Sequence, residues 1–135
     1  MRLGLDFSNT LEWRASDHPT ESIKGYSDLV NWSRGAGLVT DREARQLLRE
    51  AARRSAEAST VVEYSRSIRE AIYRLFSSIA RGGRPKKSDL DLLNDALAKA
   101  MGHSRVVQTS EGFVWGWEGG AVALDRMLWP VIRSV

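Results

Sequence analysis

Asp6 and Asn9 stand with two hydroxyls, Ser8 and Thr10, and are followed closely by Glu12 and Trp13. A carboxylate, an amide and hydroxyls gathered at the exit of a strand can orient a polar ligand. The same residue types also satisfy backbone groups in turns. Arg69 directly follows Ile68 in a long apolar-periodic segment, so its side chain can lean inward. A half-buried guanidinium needs a carboxylate or carbonyl partner, and Asp6 is the expected one. Five tryptophans are many for this length. Trp32 and Trp129 read as core, whereas Trp13, Trp115 and Trp117 are free to line a pocket for a planar or apolar ligand. The expected ligand-binding set is Asp6, Asn9, Thr10, Trp13, Arg69 and Trp115.

Other patterns carry other chemistry. Arg81, Arg84, Lys86 and Lys87 form a basic run with no acid among them, the better candidate for phosphate contact and hence for nucleic-acid binding. Arg42, Arg45, Arg49 and Arg53 share a helix face, but Asp41, Glu43, Glu50 and Glu57 interleave with them as on a salt-bridged surface helix. The chain has no nucleophile-elbow motif, no phosphate loop and no dinucleotide fingerprint, so no enzyme is expected. Zero cysteines excludes a disulfide scaffold, a cysteine nucleophile and a thiolate metal site. His18 and His103 alone do not make a metal site, so no metal and no cofactor is expected in this chain.

These groups need elements to hold them. With 135 residues, 42% hydrophobic and 27% charged, the composition is that of one soluble globular domain. A net charge of +3 permits nucleic-acid contact without arguing for it. No apolar run is long enough for a membrane span and no signal peptide is visible, so a cytoplasmic protein is expected.

Leu3, Leu5 and Phe7 alternate with Gly4, Asp6 and Ser8, which predicts a first strand with one buried face. A short helix carrying Leu29, Val30 and Trp32 ends at Gly35-Ala-Gly37. Thr40 and Glu43 have capping-box spacing and open a helix running to about Ser55. The strongest helical period runs from about Ser59 to Arg81, stopped by Gly82-Gly-Arg-Pro85. A helix capped near Ser88 carries Leu90, Leu93, Leu97 and Met101 inward. The period then switches to two, and residues 105–109 and 113–117 predict a hairpin turning at Ser110-Glu-Gly112. The fold class is therefore α+β, a mainly helical single domain with a small antiparallel sheet joining the N-terminal strand to the late hairpin. Residues 121–135 predict a helix kinked near Trp129 by Pro130, with Met127 and Trp129 widening an uncovered apolar side. That surface predicts a homodimer through 121–135, or a continuation of the chain that covers it.

Several stretches resemble one family in order. Leu5-Asp-Phe-Ser-Asn-Thr10, Ala36-Gly-Leu-Val39, Ser67-Ile-Arg-Glu-Ala-Ile-Tyr-Arg-Leu-Phe76, Asp89-Leu-Asp-Leu-Leu-Asn94 and Leu128-Trp-Pro-Val-Ile-Arg-Ser134 look like successive blocks of the ABATE domain. That domain occurs in the CGNR zinc-finger proteins, described as stress-induced bacterial transcription regulators. The resemblance implies a regulatory domain over 1–135 that senses an unknown small molecule. It also implies that zinc and DNA contact belong to the family's C-terminal finger, which these residues lack. Direct nucleic-acid binding through Arg81, Arg84, Lys86 and Lys87, or a dimerisation module without a ligand, are the alternatives.

Overall fold

The computed structural model describes residues 2–12, 14, 16–117 and 123–135. In chain order its elements are α1 (Arg2–Ser8), β1 (Leu11–Glu12), β2 (Thr20–Glu21), α2 (Tyr26–Gly35), α3 (Asp41–Arg53), α4 (Ser55–Ala80), α5 (Lys87–Met101), β3 (Ser104–Thr109), β4 (Gly112–Trp117) and α6 (Leu128–Ser134). The fold is α+β and mainly helical, with two separate two-stranded antiparallel sheets among the described residues. No helix of the described residues is long and apolar enough to cross a membrane.

The helix α4 is the spine. Its Ala58, Val62, Ser65, Ile68, Arg69, Ala71 and Ile72 are buried, a face defined by steps of three and four. Against it pack α1, α2, α3 and α5. The capping box at the start of α3 forms as the spacing predicts: Glu43 N–H donates to Thr40 Oγ1 at 3.1 Å, and Thr40 N–H donates to Glu43 Oε1 at 2.9 Å. The other Glu43 oxygen meets Arg126 at 2.6 Å, so this cap also ties down the approach to α6. Burial alone would raise the Glu43 pKa, but the Thr40 amide and the Arg126 charge together hold it below its ordinary value.

The predicted first strand is a helix, α1. Over so few residues the alternation also fits helical spacing, and the helix buries Gly4, Phe7 and Ser8 while leaving Leu5 exposed. Gly4 matters here, because a Cβ at that position would come within 3.2 Å of Val135. The hairpin accordingly gains no third strand. β1 pairs with β2 instead, with Leu11 opposite Glu21, and β3 pairs with β4 in the register Ser104↔Trp117 to Thr109↔Gly112. The hairpin turns at Ser110-Glu111, and Gly112 carries the positive φ (131°) that glycine accepts without strain.

Two faces differ from expectation. In α5 the buried residues are Asp89, Leu93, Ala96 and Ala100, while Leu90, Leu97 and Met101 are exposed. Small alanines let α5 lie close to α4 and α6, and the Arg74 guanidinium draws Asp89 inward. The C-terminal helix is also shorter than 121–135; residues 121 and 122 lie outside the described set, and α6 begins at Leu128. Pro130 therefore sits in its first turn, where a missing N–H has no intrahelical partner to lose. Leu124, Met127, Leu128, Trp129, Val131 and Ile132 are all buried within the fold. Trp129 stacks on His103 with ring centroids 3.9 Å apart. Met127 and Trp129, expected to widen an uncovered apolar side, are thus covered by the chain's own packing, against α1 and α5, while Val135 is 41% exposed.

Candidate functional site

Arg69 is the most deeply buried cation of the described residues, with 3% of its side chain exposed. It projects from the inner face of α4 toward β1 and β2. Its Nη1 and Nη2 donate to Glu21 Oε2 and Oε1 at 2.6 and 2.8 Å, a two-point pairing of planar groups. Its Nε donates to Glu70 Oε2 at 2.8 Å, and Nη1 also reaches Thr10 Oγ1 at 3.3 Å. Glu21 additionally accepts from Ile23 N–H and lies 3.3 Å from Arg66 Nε. Glu70 pairs with Arg14, whose Nη2 donates to the Ser8 carbonyl and whose guanidinium covers the Tyr73 ring. Burial alone would raise the Glu21 pKa; the Arg69 hydrogen bonds, the Ile23 amide and the Arg69 and Arg66 charges outweigh that and hold it below the ordinary carboxylate value.

This knot replaces the expected pairing. Asp6 is exposed, and the carboxylates on Arg69 are Glu21 and Glu70. With α1 helical, Asp6 falls on its outer side rather than at a strand exit. Asn9 is also exposed and only its backbone N–H is used, closing the end of α1 on the Leu5 carbonyl at 3.0 Å. Thr10 is buried, donating its hydroxyl to the Phe7 carbonyl at 2.8 Å. Trp13 lies outside the described residues. Trp115 is 66% exposed on the hairpin, near Arg133 rather than Arg69. Of the six expected residues, the structure therefore brings together Thr10 and Arg69. Their donors and acceptors face each other and the two glutamates, which makes the cluster a clamp between β1–β2 and α4.

A second feature lies elsewhere, a cavity where the start of α2, the end of α3 and the start of α4 meet. Its volume is about 500 Å³, within the range of small-molecule sites. Leu48, Ala51, Ala58 and Val62 form its apolar floor, and Lys24, Glu63 and Arg66 stand at its rim. Two local features open this space. The chain breaks at Arg54 between α3 and α4 (φ −127°, ψ 56°), and small residues occupy the junction. Arg66 is held at the rim by two bonds to the Ile23 carbonyl, at 3.2 and 2.5 Å, besides its contact with Glu21. Tyr26 faces the same space, its hydroxyl donating to the Leu124 carbonyl at 2.7 Å. Burial, reinforced by the Asp125 charge, pushes the Tyr26 pKa well above its ordinary value, so this phenol stays a donor. The sequence signal for the cavity is the cluster Ala51-Ala52, Ser55, Ala58-Ser59, side chains too small to fill the space between three helices.

The basic run divides. Arg81, Arg84 and Lys86 converge with Arg74 on a smaller cavity, whereas Lys87 pairs with Asp91 at 3.0 Å. A model of one protein family, ABATE, carrying the description "Putative stress-induced transcription regulator", matches residues 1–135. The chain belongs to the ABATE family. Comparison with curated proteins and with solved structures found no match. This ABATE chain thus has a helical spine, a clamped N-terminal ribbon and a cavity at the α2–α3–α4 junction.

Proposed function

We propose that this ABATE chain is the sensing part of a transcription regulator, a non-catalytic cytoplasmic domain that binds a small molecule in the α2–α3–α4 cavity. The observation that carries this reading is the cavity's composition: an apolar floor with a few convergent polar groups, held by rigid helices. Lys24 and Arg66, two cations against the single carboxylate of Glu63, favour an amphipathic anion, its apolar body on the alanines and its charge at the rim. Arg66 links the cavity to the clamp, because it bonds Ile23 and touches Glu21, the carboxylate that also holds Arg69. A ligand that draws Arg66 inward competes with those bonds and loosens β1–β2. Reading of DNA sequence is assigned to a module outside these residues, as the resemblance to CGNR zinc-finger proteins implies.

The test is a fluorescence titration with anilinonaphthalene sulfonate, which combines aromatic rings and an anion. One saturable site is expected. Ala51→Trp, which fills the floor, and Lys24→Glu, which reverses a rim charge, should each weaken it about tenfold, the scale of one charged hydrogen bond. Circular dichroism melts check that both variants fold. Unchanged binding in both variants would remove the cavity from the account.

A second reading rests on the hairpin. Phe113 is 72% exposed and Trp115 66%, with Val106 and Val114 also open, and each strand of the isolated pair has an unpaired edge. These features favour self-association through β3–β4 with a second copy of the chain. The two readings are compatible, because hairpin and cavity share no residues.

A further inference from the structure

The chain reverses between α4 and α5 around a cavity of about 290 Å³ lined by Arg74, Ser78, Arg81, Arg84, Lys86 and Asp89. Four of these six side chains are cationic and one is acidic. The acid is neutralised within the protein: Arg74 Nε donates to both Asp89 oxygens at 3.0 and 3.1 Å, and Nη2 lies 2.9 Å from Oδ1. That pairing keeps the Arg74 pKa above its ordinary value, chiefly through the Asp89 hydrogen bonds. Among the described residues no carboxylate pairs with Arg81, Arg84 or Lys86, although acids lie nearby in sequence and Lys87 does find one. Three cations left facing one concavity repel each other unless an anion lies between them.

The backbone adds to this. The N-cap of α5 is Lys86, and no side chain caps the helix there, so the first amides of α5 contribute positive potential at the same mouth. The opposing end of α4 contributes less negative potential than a free helix end would. Its carbonyls at Ser77, Ser78 and Ile79 accept from the amides of Arg81, Gly83 and Gly82 at 3.2, 2.9 and 3.0 Å.

We propose that this α4–α5 cavity is a binding site for the terminal phosphate of a small phosphorylated molecule. Planar guanidinium groups suit phosphate oxygens in two-point contact, and the cavity has room for the phosphate and part of the group that carries it. Convergence distinguishes this ligand from a nucleic-acid backbone. A duplex presents phosphates in a row and needs cations spread along a surface, whereas here three exposed cations line one cavity. The site is separate from the α2–α3–α4 cavity and does not depend on the sensing role proposed for it.

The experiment titrates the isotopically labelled 135-residue chain with inorganic phosphate and, in a second arm, with duplex DNA, following backbone amide resonances at near-physiological salt. Phosphate should shift the amides of residues 82–88 along one saturable curve, with a dissociation constant of about 1 mM. Arg81→Glu combined with Arg84→Glu should weaken this about a hundredfold. Both side chains are exposed, so the variant should melt like the parent. Duplex DNA should produce only small shifts that fade as salt is raised. Failure of phosphate to shift these amides, or equal phosphate binding by the double variant, would overturn the proposal. Duplex DNA saturating the same amides more tightly than phosphate would overturn it in favour of a nucleic-acid surface.

Discussion

Arg69→Ala is expected to lower stability by about 3 kcal/mol, the scale for removing one partner from a buried ion pair. The loss has two sources. Glu21 and Glu70 would face each other without the cation that separates them, and Thr10 would lose a donor. For a domain of this size the melting temperature should fall by about 10 °C. Arg69→Met combined with Glu21→Gln should recover part of the loss, because a neutral pair of similar volume leaves less unpaired charge buried.

The pH dependence has a definite sign. The folded-state pKa of Glu21 lies below its ordinary value of 4.5. Its contribution is therefore present in full above that value and is lost as pH falls through the depressed folded value. Thermal melts across the acid range should show the wild type losing stability below pH 4.5 more steeply than Arg69→Ala. Parallel curves would mean that Glu21 is not held by Arg69.

The hairpin carries the second large effect. Val106, Phe113 and Trp115 are exposed together on one face of the hairpin, at 60%, 72% and 66%, and exposed apolar groups gathered in this way mark an interaction surface. Each strand also offers an open edge for pairing. Sedimentation over a concentration series should therefore show a reversible dimer. Phe113→Ser combined with Trp115→Ser should weaken it about a thousandfold, because buried aromatic anchors each contribute about 2 kcal/mol or more. The hairpin touches the core little at these positions, so the variant should melt near the wild-type temperature. A wild-type chain that stays monomeric at high concentration would contradict this surface.

Local signals in the sequence were followed faithfully and distant ones were not visible. The Thr40–Glu43 cap, the stop at Gly82 and the existence of the hairpin depend on residues close together in the chain, whereas α4 begins at Ser55, earlier than its apolar period marks, and Gly112 pairs with Thr109 instead of lying in the turn. Alternation over Leu3, Leu5 and Phe7 predicts a strand, but it is too short to separate a period of two from one of 3.6, and the segment is α1. In α5 bulk points to Leu90 and Leu97 as the inner face, whereas close helix approach selects Ala96 and Ala100. The place of Arg69 after Ile68 in the apolar period predicts that it turns inward and needs a carboxylate, and it does both. Its partner Glu21 is 48 residues away and becomes adjacent only through the β1–β2 ribbon. The sequence marks Trp129 as core yet partly off the apolar stripe; the fold buries it with Met127. The cavity left only an indirect trace, a cluster of small residues whose meaning depends on how three helices meet.

Occupancy of the α2–α3–α4 cavity is proposed to govern transcription. It is tested most directly by comparing whole-cell transcript levels, before and after stress, in cells carrying the wild-type gene, a deletion or Ala51→Trp. With wild-type and variant proteins at equal abundance, Ala51→Trp should alter the stress response of the same transcripts that the deletion alters. Transcripts that respond in the Ala51→Trp cells as they do in wild type, while the deletion changes them, would contradict the claim.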